Sequence, residues 1–396
     1  MAQYITFKPN RQKVSHTWKT GIQKSLNGSE KRSAIQTYPR VKIDTSYGFD
    51  DHAKSMWLKT RLFHKMGEHW GVPLWADQTP ITSTAAGSQS VINVTETDYR
   101  HFYVNRKGIV IDQDDWTTYE VFDIDSITST SITISGTLVS SWAVDDIVMP
   151  LYECRISPTQ MVSRRVRAFD EFSIQATEEF EGQNPFTYTL PTSSGAYTTY
   201  SGYDVFLSKP HTKIDYSFNQ PYTLTQFYGL GYKETYYDTD QTNMPMKFEL
   251  IENTKEEIWN WFLFFDNKMG RLETFWIPTW NKDIILTAGF SSTDTTLNME
   301  NVDYSTYWEI NTLVGRHLYI QFPDKTYTIR KVDSATNTVI TLDSQIGTTV
   351  TDYLACYISF LNFSRFDIDE LEINYHPNNV TATTQLSFYG VSEETI

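Results

Sequence analysis

The period of hydrophobic and polar positions changes along this chain, and it changes in the same order twice. Each half opens with short alternating segments. In the first half these include Tyr4–Phe7 and Arg40–Ile43, where alternate positions are apolar, the pattern of a strand with one buried face. A helical period follows. In the second half Ile258, Trp261, Phe262, Phe265 and Met269 fall on one helical face. Thr254 with Glu257 forms a capping box at its start, and Gly270, preceded by the cation Lys268, forms its stop. In the first half the spacing predicts a helix from about Asp50 to Met66, with Ala53, Met56, Trp57 and Phe63 inward and Gly67 as the stop. Both helices lead to a Pro-x-Trp corner, Pro73-Leu74-Trp75 and Pro278-Thr279-Trp280. The segments beyond, about 79–158 and 284–362, are dense in Thr, Ile, Val and Tyr and read as strands. Their turns are expected to include Asp125-Ser126 and Asp333-Ser334. A strand carrying Asp-Glu-x-x-Ile closes each half, at Asp170–Ile174 and Asp369–Ile373.

The parallel is one of sequence as well as pattern. Tyr119–Thr133 (YEVFDIDSITSTSIT) and Tyr327–Thr341 (YTIRKVDSATNTVIT) align without a gap, and roughly half of their positions are identical. Further blocks keep the same order in both halves. Phe7-Lys8-Pro9 pairs with Ser208-Lys209-Pro210, Tyr38-Pro39 with Met244-Pro245, Lys65-Met66-Gly67 with Lys268-Met269-Gly270, and Cys154-Arg155-Ile156 with Cys356-Tyr357-Ile358. The expected organisation is a tandem duplication: a first unit over 1–181, a linker over 182–203, and a second unit over 204–396. Each unit is read as mainly β, a β-sandwich with one helix and an inserted small β-barrel-like module. The linker is rich in Ser, Thr, Gly, Pro and Tyr, and its tyrosines can lie flat on a neighbour.

Composition narrows the function. A chain of 396 residues holds two to four domains with real cores. Aromatics make up 15%, suited to cores and interfaces. The net charge of −15 argues against electrostatic binding of nucleic acid, which needs clustered Lys and Arg, although an acidic surface suits a channel through which DNA slides without sticking. The basic stretches Lys19–Arg40 and Arg164–Arg167 read as interface or surface charge. Cys154 and Cys356 are expected on corresponding strands of different units, as free buried thiols, which fits assembly in a reducing cytoplasm. The start of the chain has no apolar signal region, and no apolar run is long enough to span a bilayer.

Catalytic patterns are missing. His64 and His69 are not spaced for one helical face, and there is no His-Glu-x-x-His, Gly-rich phosphate loop, Gly-x-Ser-x-Gly or Cys-x-x-Cys. Asp112, Asp114 and Asp115 lack the glycine and distal Glu of a calcium loop and read as a polar hairpin tip. Asp170-Glu171 and Asp369-Glu370 could be paired carboxylates of a glycosidase, but their recurrence favours a structural use. No catalytic, cofactor-binding or metal residue is assigned, no cofactor is expected, and the chain is read as a non-enzyme.

Thr20-Gly21-Ile22 through Ser25-Leu26-Asn27-Gly28-Ser29-Glu30-Lys31-Arg32, followed by Arg40–Ile43, the Asp50–Met66 helix and Pro73-Leu74-Trp75, resembles the bacteriophage tail-tip proteins of the distal tail and tail hub adaptor family. In the second half Tyr228-Gly229-Leu230-Gly231-Tyr232-Lys233-Glu234 replaces the Glu-x-Arg stretch. The resemblance implies a virion structural protein, made and assembled in the host cytoplasm. It would form a ring around the DNA channel at the tail tip and join the tail tube protein to hub, fibre or receptor-binding proteins. The duplication suggests three copies with pseudo-six-fold symmetry, and six copies is the competing arrangement. One alternative is a carbohydrate-binding receptor-recognition protein, which predicts exposed aromatics at Tyr99, Trp116 and Trp308. Another is a tail-associated cell-wall hydrolase, which needs a catalytic set that the sequence does not display.

Overall fold

The computed structural model of the chain describes residues 3–25, 30–166, 169–179, 197–211, 214–219, 222–226, 233–237, 244–308, 315–378 and 380–391. The fold is mainly β, with large antiparallel sheets. The first half forms β1 (Arg11–Thr17), β2 (Arg40–Phe49), α1 (His52–Lys65), β3 (His69–Pro73), β4 (Val91–Asn93), β5 (Lys107–Ile111), β6 (Tyr119–Thr128), β7 (Ser131–Ile134), β8 (Ile147–Ile156), β9 (Met161–Val166) and β10 (Phe169–Glu178). The second half forms β11 (Ile214–Tyr216), β12 (Met246–Glu252), α2 (Lys255–Asn267), β13 (Thr274–Pro278), β14 (Thr296–Asn298), β15 (His317–Gln321), β16 (Tyr327–Ala335), β17 (Val339–Leu342), β18 (Tyr357–Phe366), β19 (Glu370–Tyr375) and β20 (Ala382–Gly390). Each half also carries a hairpin after its first strand, Thr20–Lys24 with Glu30–Ala34 and Tyr222–Gln226 with Lys233–Tyr237.

The pairing is antiparallel throughout these strands. In the first half β1 pairs β2, β2 pairs β10, and β10 pairs β9 and β8. In the second half β11 pairs β12, β12 pairs β20, and β20 pairs β19 and β18. The long strand β8 serves two layers. Its end pairs β10 at Cys154–Ile156, while Ile147–Leu151 pairs β5, and β3 runs along Leu151–Arg155. That fold-over encloses a core of Ile43, Tyr47, Trp70, Val72, Phe172 and Ile174 between the layers. The segment after β3 then continues through β4, β7, β6, β5 and β8, and the bridge Ile81–Val94 closes the loop of pairing. A second core, including Ile92, Val110, Ile132 and Trp142, fills this small module.

Several sequence expectations need correction. Asp125-Ser126 and Asp333-Ser334 are not turns. They lie inside β6 and β16, where the register slips between Ile124 and Ser126 and between Val332 and Ser334. A bulge tolerates the same small polar residues as a turn. Asp170–Ile174 lies on β10, between β2 and β9, whereas Asp369 stands just before β19 and Glu370–Ile373 lie on it, between β20 and β1, so the two blocks are not in matching places. Cys154 is near the end of β8, whereas Cys356 precedes β18; both are buried and free. Pro39 stands twelve residues before the N-cap Asp51, and Pro245 nine before the N-cap Thr254, so that block is displaced too. Most of the expected linker, 180–196, lies outside the described residues. Beyond it, Tyr197, Tyr200 and Tyr203 meet Phe264, Trp276 and Phe363 with ring centroids 4.9, 5.5 and 4.8 Å apart.

The helices differ in what they bury. In α2 the Glu257 amide donates to the Thr254 hydroxyl at 3.3 Å, and Ile258, Trp261, Phe262, Phe264, Phe265 and Asp266 are all buried. Gly270 ends it at φ +65° with Asp369 close against it, so the turn requires a residue without Cβ. In α1 the Asp51 carboxylate caps Ala53, and only Ser55, Leu58 and Leu62 are buried. Ala53 and Met56 are exposed, Phe63 is 84% exposed, and Trp57 is half-buried against Phe7, so the expected inward face is largely wrong.

Candidate assembly surfaces

The two halves share one sheet. β1 pairs its own β2 on one side and β19, from the far end of the chain, on the other. The strand order is β9-β10-β2-β1-β19-β20-β12-β11, eight strands crossing both halves.

The join is built from buried polar groups as well as apolar ones. The Asp266 carboxylate of α2 accepts from Trp18 Nε1 at 2.9 Å and lies 2.8 Å from His16 Nδ1. Beside it Asp77, in the turn after Trp75, accepts from the His101 amide and meets the His101 ring, and Lys255 at the start of α2 reaches Asp77 and the Ala76 carbonyl. Burial would raise the Asp77 carboxyl, but Lys255 and then His101 hold it well below the usual carboxylate range. Burial pushes the His101 imidazole down, and Asp77 beside it works against that shift. The rings of His16 and His101 rest on Phe262, 4.5 and 4.8 Å away. His16, Asp266, His101 and Asp77 have side chains at most 3% exposed, so this cluster is closed to a substrate and works as a seal. Asp369 is a third join: one oxygen or the other accepts from the Thr20 amide, the Thr20 hydroxyl and the Arg271 amide.

The hairpin of the first half docks on the second half through a buried ion pair. Arg365 in β18 is 0% exposed and grips Glu30 by two bonds of 2.8 and 3.0 Å, with the Tyr389 ring 4.6 Å away. Arg32 also donates to the Leu272 carbonyl at 2.7 Å. The basic stretch 19–40 thus supplies interface charge.

One face of the shared sheet carries the buried apolar positions, among them Ile43, Tyr47, Phe172, Ile174, Ile373 and Leu386. The other face is polar because buried and solvent-facing residues alternate along β2, β10, β19 and β20. Some of its charges are paired: Lys13 reaches Asp44 and Glu372, and Lys42 reaches Glu370. An open groove of about 630 Å³ across β19 and β20 is lined by Glu249, Asp369, Glu370 and Glu372 among others.

The sequence candidates are dispersed and occupied. Asp112 accepts from the amides of Asp114 and Asp115 at a hairpin tip. Asp170 is bound by Ser55, Lys59 and Arg164. Trp116 is half-buried against Phe7 at 4.3 Å and Trp308 against Phe360 at 4.8 Å, whereas Tyr99 is 38% exposed. Among the described residues no group of three or more His, Cys, Asp or Glu could hold a metal ion, and no helix is long and apolar enough to cross a membrane.

The residues that sequence reasoning missed are apolar and exposed. Phe63 and Met56 on α1, Met161 and Val162 on β9, and Tyr216 and Phe218 at β11 are between 43% and 84% exposed. Four of them, Met161, Val162, Tyr216 and Phe218, flank the two open edges of the sheet: among the described residues β9 pairs only β10, and β11 only β12. One signal could have found them. Phe63 stands three residues before Met66 where Asp266 stands three before Met269, so the same helical position is apolar in one half and acidic in the other. No known protein-family model matches the chain, and no curated protein matches it.

Proposed function

We propose that the chain is two copies of one tail-tube-like unit and serves as a structural ring component at the tip of a phage tail. Copies encircle the DNA channel and join the tail tube to the hub, fibre or receptor-binding parts. The observation that carries this reading is the repetition of pairing. β1 to β10 and β11 to β20 connect in the same order, with the helix after the second strand and the bulge at the same step of β6 and β16. Two such units already share a sheet within one chain, so six units from three chains can continue the same arrangement around a ring. The buried positions of the shared strands alternate with polar ones, so one face of that sheet is polar and suits the inside of a closed ring. A lining in which Lys13 and Lys42 are paired with carboxylates, on a chain of net −15, offers DNA little to stick to. The motifs around Thr20–Arg32 and Pro73-Leu74-Trp75 point the same way. Negative-stain imaging with native mass, on the chain alone and mixed with tail tubes, tests this. Rings of three chains with a central hole, or caps of such rings on tubes, are expected. A chain that forms neither would overturn it.

A further inference from the structure

We propose that copies of this chain join head to tail by pairing β9 of one copy with β11 of the next, which repeats between chains the β19–β1 contact already present within each chain. The proposal rests on the reading of the chain as two copies of one unit and adds the interface that closes the ring.

The helix caps fix the correspondence. Ile43 pairs Val14 and stands eight residues before the cap Asp51; Met246 pairs Tyr216 and stands eight before the cap Thr254. Tyr216 therefore occupies the place of Val14, and Phe218, two residues on, the place of His16. Likewise Tyr47 and Leu250 stand four residues before their caps. They pair Phe172 and Thr384, which pair Val162 and Ile373. Val162 therefore occupies the place of Ile373. Within the chain Val14 is opposite Ile373, which sets Tyr216 opposite Val162 between chains.

The helix completes the match. Asp266 of α2 binds His16 across the internal join, and its counterpart on α1 is Phe63. The counterparts of that buried polar pair are thus Phe63 and Phe218, 84% and 64% exposed in the single chain. An acid and a histidine are replaced together by two aromatics, one on α1 and one beside β11. That is a complementary substitution at both partners of one contact, and it supplies an apolar anchor where the internal join has a polar one. The hairpin gives a second sign. Arg365, fully buried under the first hairpin, aligns with Arg155 of β8, because Pro278 and Pro73 fix equal positions opposite Leu361 and Leu151. The Arg155 side chain, paired with Glu179, is still 52% exposed on this face, where the strands Tyr222–Gln226 and Lys233–Tyr237 of the next copy would lie. The contact is heterologous, so it propagates rather than stopping at a dimer.

Cysteine pairs test the register. Val162→Cys with Tyr216→Cys in one chain, oxidised under native conditions, is expected to give a covalent ladder ending at a closed ring. Val162→Cys mixed with Tyr216→Cys gives one cross-linked dimer, and neither variant cross-links alone. Cross-linking of Val162→Cys with itself, or no product at concentrations where native mass shows oligomers, would overturn the proposal. Phe63→Asp is expected to weaken association roughly 100-fold, in line with loss of a central aromatic anchor. Adding Phe218→His should recover much of it by rebuilding the internal pair. Both sites are exposed, so thermal unfolding of the single chain should not move. Absence of rescue with unchanged single-chain folding also counts against the proposal. Rings that form without this cross-link sink only the interface. A cross-linked assembly that is an open filament and never caps tail tubes leaves the interface standing and sinks the tail reading.

Discussion

Replacing Glu30 with Gln probes how the halves hold together. Burial alone would raise the Glu30 carboxyl, but bonds and charge from Arg365, with help from Lys24, lower it from 4.5 to about 2. That difference corresponds to about 3 kcal/mol of stability. Because the folded value is depressed, the contribution is fully present above pH 4.5 and is lost as pH falls toward 2. Glu30→Gln removes the charge and leaves the Arg365 guanidinium, 0% exposed, without its counter-ion. Breaking a buried pair from one side costs about 3–5 kcal/mol. For a chain of 396 residues the unfolding entropy is on the order of 0.8 kcal/mol/K, so the melting midpoint should fall by about 4–6 °C. The assay is thermal and urea unfolding of both proteins from pH 7 to pH 2.5. The variant should be weaker at pH 7, and the two curves should converge as pH falls below 4.5. Equal midpoints at pH 7, or an unchanged gap at low pH, would refute the reasoning.

Other outcomes follow from neighbouring features. Burial raises the Asp283 carboxyl from 3.8 to about 6 despite its bonds from Thr279 and the Phe360 amide, so it is more stably neutral in the fold. Its ionisation costs stability as pH rises from about 4 through 6, by up to about 3 kcal/mol, and Asp283→Asn should be the more stable protein at pH 7 in urea melts. Leu62→Ala should cost about 2–4 kcal/mol in single-chain unfolding, while Phe63→Ser, one residue on, stays within about 0.5 kcal/mol. Gly270→Ala should cost about 1–3 kcal/mol, since φ is +65° and the added Cβ would meet Asp369 at 2.9 Å. Cys154 and Cys356 are buried with raised thiol values, so a thiol reagent should label them only at the rate of unfolding.

Much of this architecture is written locally. The capping box at Thr254 and the apolar row from Ile258 to Phe265 are short-range signals, and the structure carries them where the spacing puts them. The face of α1 was harder to read, since Met56 and Phe63 are as apolar as Leu58 and Leu62 and hydrophobicity does not tell a core from an interface. The bulges at Asp125 and Asp333 use turn residues, which hid two long strands. The β1–β19 pairing joins residues such as Lys13 and Asn374 from opposite ends of the chain, and no local period encodes it. Its buried polar groups, His16, Asp266, Asp77 and Lys255, are single polar residues scattered through the chain, so the join was invisible in the sequence although each member is plain in the fold.

The most direct test of a ring built by one repeated contact is imaging the assembled chain at high concentration and on tail tubes, at a resolution that traces strands. The sheet should run without a break from β9 of one copy into β11 of the next, three chains closing around an opening lined by the polar face. A single chain under every condition, or copies meeting through any other pair of strands, would contradict it.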